Sequence, residues 1–492
     1  MFGAGGGTSS YEELEETDIL VLWGSNARET HPIMFQHMLK GQRNGAYLVV
    51  VDPRRTATAR WAAEHVALRV GSDIALANAM AHVVIAEGLQ HAWFIENSTR
   101  GYEELRKSVA LTTPEWAERE TGVPAEQIRR IARRYATADR ALICWTLGIT
   151  EHHNAVDNVH ALINLALLTG HVGRLGSGLN PLRGQNNVQG GGDMGAVPLK
   201  LPGFQNVFDS AKRRLFEECW GVRLSSTTGM NVTEMLEAAG EGMLHALYVI
   251  GENPAVSDAD THHVEKALEP PPGARDDLEV LQDVARRLGA AWWRPQTARE
   301  IWDELRALSP IHRGMTYERL ESGSGLRWPC WDESHPGEQF LHARLWKTPC
   351  EGERALFKPV VHDPPVDVVN VEYPLLLTTG RRLDSFNTGE QSNRFSTPLR
   401  TEEALLLSAH DMAAMGLVDG ERVTIRSRRG HLEVSVRTDD GVRPGLAFMT
   451  FHFPEQIATN LLTINAVDPL SGTAEFKASA VRVDKVAPGR TH

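Results

Sequence analysis

The segment Gly178-Leu179-Asn180-Pro181-Leu182-Arg183-Gly184-Gln185-Asn186-Asn187-Val188-Gln189-Gly190-Gly191-Gly192-Asp193-Met194-Gly195 gathers glycines and amide side chains around the single arginine Arg183. Glycine lets a backbone approach a ligand closely. Amides both donate and accept hydrogen bonds. A guanidinium fork matches a carboxylate with two parallel bonds. The plainer alternative is a long polar surface loop, but such loops rarely need so many Asn and Gln beside so many Gly. Three shorter motifs each follow an apolar run. They are Gly24-Ser25-Asn26-Ala27-Arg28-Glu29-Thr30-His31-Pro32, Asp52-Pro53-Arg54-Arg55 and Gly71-Ser72-Asp73, the last opening a helix whose first amides could hold a phosphate. Each alone reads as an ordinary turn. Three on one edge favour a nucleotide site, although neither the Gly-x-Gly-x-x-Gly fingerprint nor a Walker-type loop is present.

Other reactive residue types add less. His152-His153 follows an apolar run and is placed at the same edge, whereas His262-His263 sits in polar sequence and reads as solvated. No Ser-His-Asp arrangement or His-Glu-x-x-His zinc signature occurs. The cysteines Cys144, Cys219, Cys330 and Cys350 form no Cys-x-x-Cys pair, so each reads as a structural thiol, Cys144 within a buried strand.

These residues need elements to hold them. Strands are predicted at Ile19–Trp23, Tyr47–Val51, His65–Val70 and Ala141–Leu147, and helices at 32–42, 73–87, 125–136 and 154–169. Continuous apolar strands alternating with helices predict a parallel sheet covered on both faces, and ligands of such sheets bind beyond the carboxyl ends of the strands. A Gly- and Asn-rich stretch runs over 170–203, and a further strand is predicted at Ala246–Ile250. From 269 to 371 the pattern is polar and irregular, apart from a helix over 277–288. The last 120 or so residues change character: short strands at 375–377, 405–407, 422–427, 431–437 and 446–450, with turns at Asp419-Gly420 and Arg429-Gly430, predict a compact β-barrel.

With 492 residues, 42% hydrophobic and 23% charged, the chain has ordinary globular composition and length for about three domains. The net charge of −12 excludes a basic nucleic-acid stripe. No apolar run reaches the roughly 20 residues of a membrane helix, and the glycine-rich start is no signal peptide, so a cytoplasmic protein is expected.

The run from Asn180 to Gly190, with Gly192-Asp193-Met194-Gly195, closely resembles the catalytic-subunit signature of molybdenum formate dehydrogenases, in the DMSO reductase superfamily. So do Asn44-Gly45-Ala46 leading into Asp52-Pro53-Arg54, Thr56-Ala57-Thr58-Ala59-Arg60, Leu168-Thr169-Gly170-His171-Val172-Gly173 and Gly251-Glu252-Asn253-Pro254. Thr379-Gly380-Arg381, Phe451-His452-Phe453-Pro454-Glu455, Asn460-Leu461-Leu462-Thr463 and Glu475-Phe476-Lys477 resemble the C-terminal dinucleotide-binding domain of that family. The resemblance spans nearly the whole chain in family order. It implies Rossmann-like α/β cofactor domains and a C-terminal barrel of the double-psi type. The implied division is 1–185, an α/β molybdopterin-binding domain; 186–300, a second α/β domain; 301–370, an irregular linker; and 371–492, the barrel. The implied cofactor is molybdenum or tungsten between two molybdopterin guanine dinucleotides. One dinucleotide would lie along Gly24, Asn26, Thr30, His31, Asp52, Pro53, Arg54, Gly71, Asp73, Leu147 and Gly148. Gly184, Gln185 and Asn186 would adjoin the cofactor. The other would be gripped by Gly251, Glu252, Asn253 and by Thr379, Gly380, Arg381, Asn460, Phe476 and Lys477 of the barrel. Arg183 matches the arginine that orients formate. The implied reaction takes two electrons and a proton from formate, leaving carbon dioxide, with an iron–sulfur or flavin subunit as electron-transfer partner.

Two departures accompany the likeness. The family carries a four-cysteine 4Fe-4S domain and then a Cys or selenocysteine metal ligand beside a His; aligning Asp18-Ile19-Leu20 with the family strand places that ligand shortly before Met1, so no metal ligand or cluster ligand is expected within this chain. After Thr261–Leu268 the family continues through a strand, a helix and a strand, whereas here Leu268 runs straight into Glu269-Pro270-Pro271-Pro272-Gly273. These departures leave two alternatives open: another oxidoreductase of the superfamily, such as a nitrate or arsenite enzyme, or an inactive cofactor-binding remnant.

Overall fold

A computed structural model describes the chain except for residues 3–5, 186, 228, 231, 247–274, 276, 291–296, 323–324, 384–401, 454–455 and 487–492. Its described residues divide into two compact units, one built from Met1–Leu182 and His342–His492, the other from Arg183–Glu252 and Asp260–Leu341. Among the described residues no helix is long and apolar enough to cross a membrane.

In the first unit, β1 (Ile19–Trp23), β2 (Tyr47–Val51), β3 (Glu64–Val66), β4 (Ala141–Trp145) and β5 (Gly178–Pro181) form an all-parallel sheet in the order β3-β2-β1-β4-β5. The two-residue period of a strand sends alternate side chains to opposite faces. Ile19, Val21, Trp23, Val49, Val51, Ile143 and Trp145 enter one core, which also buries α2 (Asp73–Ala86), α4 (Ala125–Thr137) and α5 (Ala155–Thr169). Leu20, Leu22, Leu48, Val50, Leu142 and Cys144 enter a second core with Met34, Phe35 and Met38 of α1 (Pro32–Arg43). Both faces are therefore covered, which is why the central strands β1, β2 and β4 are apolar throughout. Burial pushes the Cys144 thiol up to about 12, as suits an inert core residue.

Three sequence expectations are corrected here. The third strand ends at Val66 rather than Val70, because the Leu68 amide folds back onto the Val66 carbonyl and Arg69 donates to Thr121. The fourth ends at Trp145, and Leu147 instead begins a short helical turn, Leu147–Thr150. The Gly- and Asn-rich stretch over 170–203 contains β5 and the helix Val188–Asp193. β5 is an edge strand, shielded where Thr8 exchanges hydrogen bonds with Leu179 and the Ser9 amide donates to Asn180. Finally, the irregular reading of 269–371 misses the helix Ala298–Leu308, opened by a reciprocal Thr297–Glu300 capping box. Between α2 and α4 lie three further helices, Ala92–Ser98, Tyr102–Ser108 and α3 (Pro114–Thr121).

The same unit ends in a closed six-stranded barrel of β6 (Leu375–Thr379), β7 (Ala404–Leu407), β8 (Arg422–Ser427), β9 (His431–Thr438), β10 (Leu446–Met449) and β11 (Ser479–Lys485), in the order β6-β10-β7-β9-β8-β11. The expected mixed α/β fold with a C-terminal barrel is present. Closure removes the exposed edges that an open sheet of this size would carry. The second unit is helical, with Ser210–Trp220, Val232–Gly240, Asp277–Arg287 and Ala298–Leu308 as its longer elements. The predicted strand at 246–250 lies, from residue 247 on, outside the described residues, as do His262 and His263.

Candidate functional site

With strand order 3-2-1-4-5, the connections diverge between β1 and β4, and the crevice of a doubly wound sheet opens there. The backbone crosses itself at this point. The Gly148 amide donates to the Gly24 carbonyl at 3.1 Å, and the Thr146 hydroxyl donates to the same carbonyl at 2.7 Å. A Cβ on Gly148 would stand 2.5 Å from the Gly24 oxygen, and one on Gly24, whose φ is +57°, would stand 2.8 Å from the Gly148 carbonyl carbon. Only glycine fits either position. Next to them Ser25 Oγ is buried and, among the described residues, has no hydrogen-bond partner.

Two carboxylates are buried at the neighbouring strand ends. Asp73, the first residue of α2, accepts the Trp23 indole N–H at 2.7 Å; burial raises its pKa, against the pull of His152. Asp52 accepts the Arg54 amide at 2.8 Å and is likewise raised by burial, with Arg54 opposing. The Arg54 guanidinium lies 3.5 Å from the centroid of the Phe448 ring on the barrel strand β10. Asn26 serves the loop itself: its side-chain carbonyl accepts the Thr58 amide and hydroxyl, while the Thr30 hydroxyl bonds Asn26 O and His31 Nδ1. Pro53 continues the turn after β2, and Gly71 lies against Pro365. Leu147 is half exposed.

The barrel reaches the same place. Lys477 Nζ lies 2.5 Å from Glu151 and donates to the Thr379 carbonyl at 3.2 Å, while the Thr379 hydroxyl donates to Phe476 O and the Phe476 amide to Glu151 O. Gly380 donates its amide to Met449 O, and burial lowers the pKa of the adjacent Arg381, with Glu151 opposing. Glu475 Oε2 accepts His152 Nδ1 at 3.2 Å, His153 Nδ1 at 3.3 Å and the His153 amide at 3.1 Å; Oε1 accepts the amides of Lys477 and Ala478. The expected placement of the His152-His153 pair at this edge holds. Asn460, by contrast, is exposed in the turn Thr459–Leu461, where its carbonyl accepts the Thr463 hydroxyl.

Arg183, Gly184 and Gln185 open the second unit. Burial lowers the Arg183 pKa, and the Asp193 carboxylate opposes that shift. Asp193 is itself buried, accepts Gln189 Nε2 at 3.2 Å, and has His312 Nε2 at 3.9 Å. Burial brings the His312 pKa down to about 4, and Ser309 Oγ sits 2.8 Å from its other ring nitrogen. Asn186, Gly251, Glu252 and Asn253 lie outside the described residues. The sequence reading passes over Glu151, Asp363, Glu475, Phe448 and Thr58 as site residues; their partners are remote in the chain, and no local spacing announces them.

The strand-end cluster therefore offers backbone amides, buried acceptors and an unmatched serine hydroxyl beside basic groups. That donor set fits a polar, phosphate-bearing ligand whose sugar and base edges donate hydrogen bonds.

Comparison with known proteins agrees. Residues 4–284 match the family described as Molybdopterin oxidoreductase, and residues 375–480 match the Molydopterin dinucleotide binding domain. F420-dependent formate dehydrogenase 2 subunit alpha of Methanococcus maripaludis is 36% identical over 539 residues, covering 99% of this chain and 79% of its own length. Formate dehydrogenase H of Escherichia coli is 34% identical over 544 residues, covering 99% and 76%. Acetylene hydratase from Pelobacter acetylenicus shares the fold, with a TM-score of 0.64 at 19% identity over 98% of this chain and 79% of its own. The first alignment exceeds the length of this chain by 539 − 492 = 47, so that relative carries at least 47 residues opposite gaps in this sequence.

Proposed function

The chain belongs to the molybdopterin oxidoreductase family, and from that premise we propose that it is a formate dehydrogenase, taking two electrons and a proton from formate and leaving carbon dioxide. The observation that carries this reading is the strand-end cradle, where Asp52 and Asp73 are buried beside the Gly24–Gly148 crossing; on a loop of the second unit, Arg183 is exposed among glycines and amides. In the cradle, Asp52 and Asp73 would accept from the ribose or guanine edge of a molybdopterin guanine dinucleotide. Gly24 and Gly148 keep side chains out of its path, and Ser25 Oγ gains a partner. Thr379, Gly380, Arg381 and Lys477 would serve the second dinucleotide from the barrel. When bound, this group supplies a molybdenum or tungsten centre able to accept the two electrons.

The chain's own residues do the rest. Arg183 would grip the formate carboxylate with two parallel N–H bonds and fix its orientation. The Asp193 carboxylate, which accepts Gln189 Nε2 within the helix Val188–Asp193, favours the charged form of that guanidinium. Electrons would leave to an iron–sulfur or flavin subunit. The test is anaerobic purification of the natural protein, followed by pterin and metal analysis and by formate-dependent reduction of a viologen dye. Pterin with dye reduction supports the proposal; pterin with nitrate turnover instead of formate turnover overturns it. A second reading, an inactive cofactor-binding remnant, is favoured by the 47 or more aligned positions this chain lacks, and it predicts pterin without turnover of either substrate.

A further inference from the structure

We propose that Glu475, His152 and His153 form a charged clasp that positions the Leu147–Gly148 turn of the cofactor cradle, with both imidazoles held doubly protonated. The inference rests on the reading of the strand ends as a pterin-dinucleotide cradle, and it adds to that reading residues that touch no ligand themselves but set the shape of its seat.

His152 is buried, with Nδ1 3.2 Å from Glu475 Oε2 and Nε2 3.1 Å from the Gly148 carbonyl. An ionised carboxylate and a carbonyl only accept, and a neutral imidazole has one N–H to give, so both contacts are filled only by the imidazolium. His153 repeats the pattern, with Nδ1 3.3 Å from the same Glu475 oxygen and Nε2 3.0 Å from Asp363 Oδ2. Glu475 must be ionised to serve them, and its other oxygen is taken by the amides of Lys477 and Ala478. With both rings charged, His152–Glu475, His153–Glu475 and His153–Asp363 form a connected set of ion pairs.

The charges around it agree. Burial works to strip the proton from His152, but Glu475 outweighs it, with Asp73 assisting and Lys477 opposing, and the pKa rises above 6.5. The hydrogen bond that His153 donates to Glu475 raises its pKa as well, with burial opposing and Asp363 adding to the rise. Burial works against the ionised form of Glu475, yet His152 and His153 together hold its carboxyl far below the usual range. The clasp acts on the cradle through one atom: the Gly148 carbonyl accepts from His152, while the Gly148 amide donates to Gly24 where the two strand-end loops cross. A group whose pKa is raised by folding contributes fully below its unfolded value and loses that contribution as pH rises through the folded value. Retention of cofactor therefore weakens on the alkaline side, as each imidazole gives up the proton it needs for its second contact.

Two measurements on the full-length protein test this. In the first, the chain is labelled with 15N-histidine and the two rings are assigned with His152→Gln and His153→Gln. Both rings should lose their second proton at a higher pH than ordinary histidines do. Either ring titrating at or below the ordinary value overturns the clasp. In the second, bound pterin is quantified after dialysis from about pH 6 to pH 9. Wild type should lose pterin as pH rises. Glu475→Gln should retain about tenfold less near neutrality, on a flat pH profile, because breaking a buried pair strands its partners. A Glu475→Gln protein that loses pterin but keeps the wild-type profile shows a structural role alone and overturns the proposal. Should Glu475→Gln fail to fold, Asp363→Asn keeps the question open: it should return only His153 towards ordinary titration. A wild-type protein without pterin at any pH defeats the cradle reading, while the ring signals still decide the clasp.

Discussion

The strand-end cradle buries its polar groups, whereas the loop after β5 leaves Arg183 exposed and buries only Asp193, and the two regions are assembled by opposite means. In the cradle, partners come from far apart in the chain: His152 and Glu475 are separated by 323 positions, and Arg54 meets Phe448 across most of the sequence. Sheet and barrel must both be folded before any of these groups is satisfied. In the loop, Arg183, Gln189 and Asp193 lie on one short stretch, closed by a helix of six residues, and His312 and Trp328 join Asp193 from a distance. A site assembled from the whole fold ties binding to stability. A site carried on one loop can be altered with the fold left intact.

The largest expected effect tests the loop. Arg183→Ala should lower kcat/KM for formate by about a thousandfold, the scale of losing one charge-assisted contact made to a reacting group. Pterin content and unfolding midpoint should stay at wild-type values, because Arg183 is exposed and lies outside the sheet and barrel cores. Loss of pterin together with activity would erase the distinction between the two regions.

The next effect tests the cradle. Gly148→Ala forces a methyl to within 2.5 Å of the Gly24 carbonyl, and the contact is backbone, which cannot rotate away. Such overpacking costs about 1–3 kcal/mol. Denaturant unfolding should show that loss, and pterin content should fall with it. A stable Gly148→Ala protein without pterin would mean that the crossing matters to the ligand alone.

How far each region was legible in the sequence follows the same division. The strands β1, β2 and β4 are uniform apolar runs, so their existence and parallel arrangement are visible at once, as is the helix opening at Asp73. The Arg183 loop is visible too, since its residue types are contiguous. β5 is not: Gly178, Asn180 and Pro181 are loop formers, and they lie in a strand only because Thr8 and Ser9 cap the open edge. The end of β4 is misread for a related reason, since Leu147 continues an apolar run that the Gly24–Gly148 crossing interrupts. Glu475 appears in a recognisable motif with Phe476 and Lys477, yet its partners are invisible without the barrel. The Thr297–Glu300 capping box is the opposite case. Its local signal stands in the sequence, and the surrounding prolines and tryptophans mask it.

A smaller effect separates two arginines that both reach from the loop after β2 to the barrel. Arg54 is half-buried and stacks on Phe448; Arg60 pairs with Asp440 at 2.7 Å, with both side chains more than half exposed. Lysine at position 54 would keep the charge and lose the planar stack, at a cost of about 1 kcal/mol. Alanine at position 60 removes a pair that water and salt already screen, at a cost of at most about 0.5 kcal/mol. Thermal unfolding at low and moderate salt reads both: Arg54→Lys should lower the midpoint equally in each, since a desolvated stack is little affected by ions, whereas any shift from Arg60→Ala should vanish as salt is added. A salt-independent loss at Arg60 would mean that the barrel is held to the sheet by its rim as well as by its buried contacts, and the cradle would then depend on a wider surface than the groups at the strand ends.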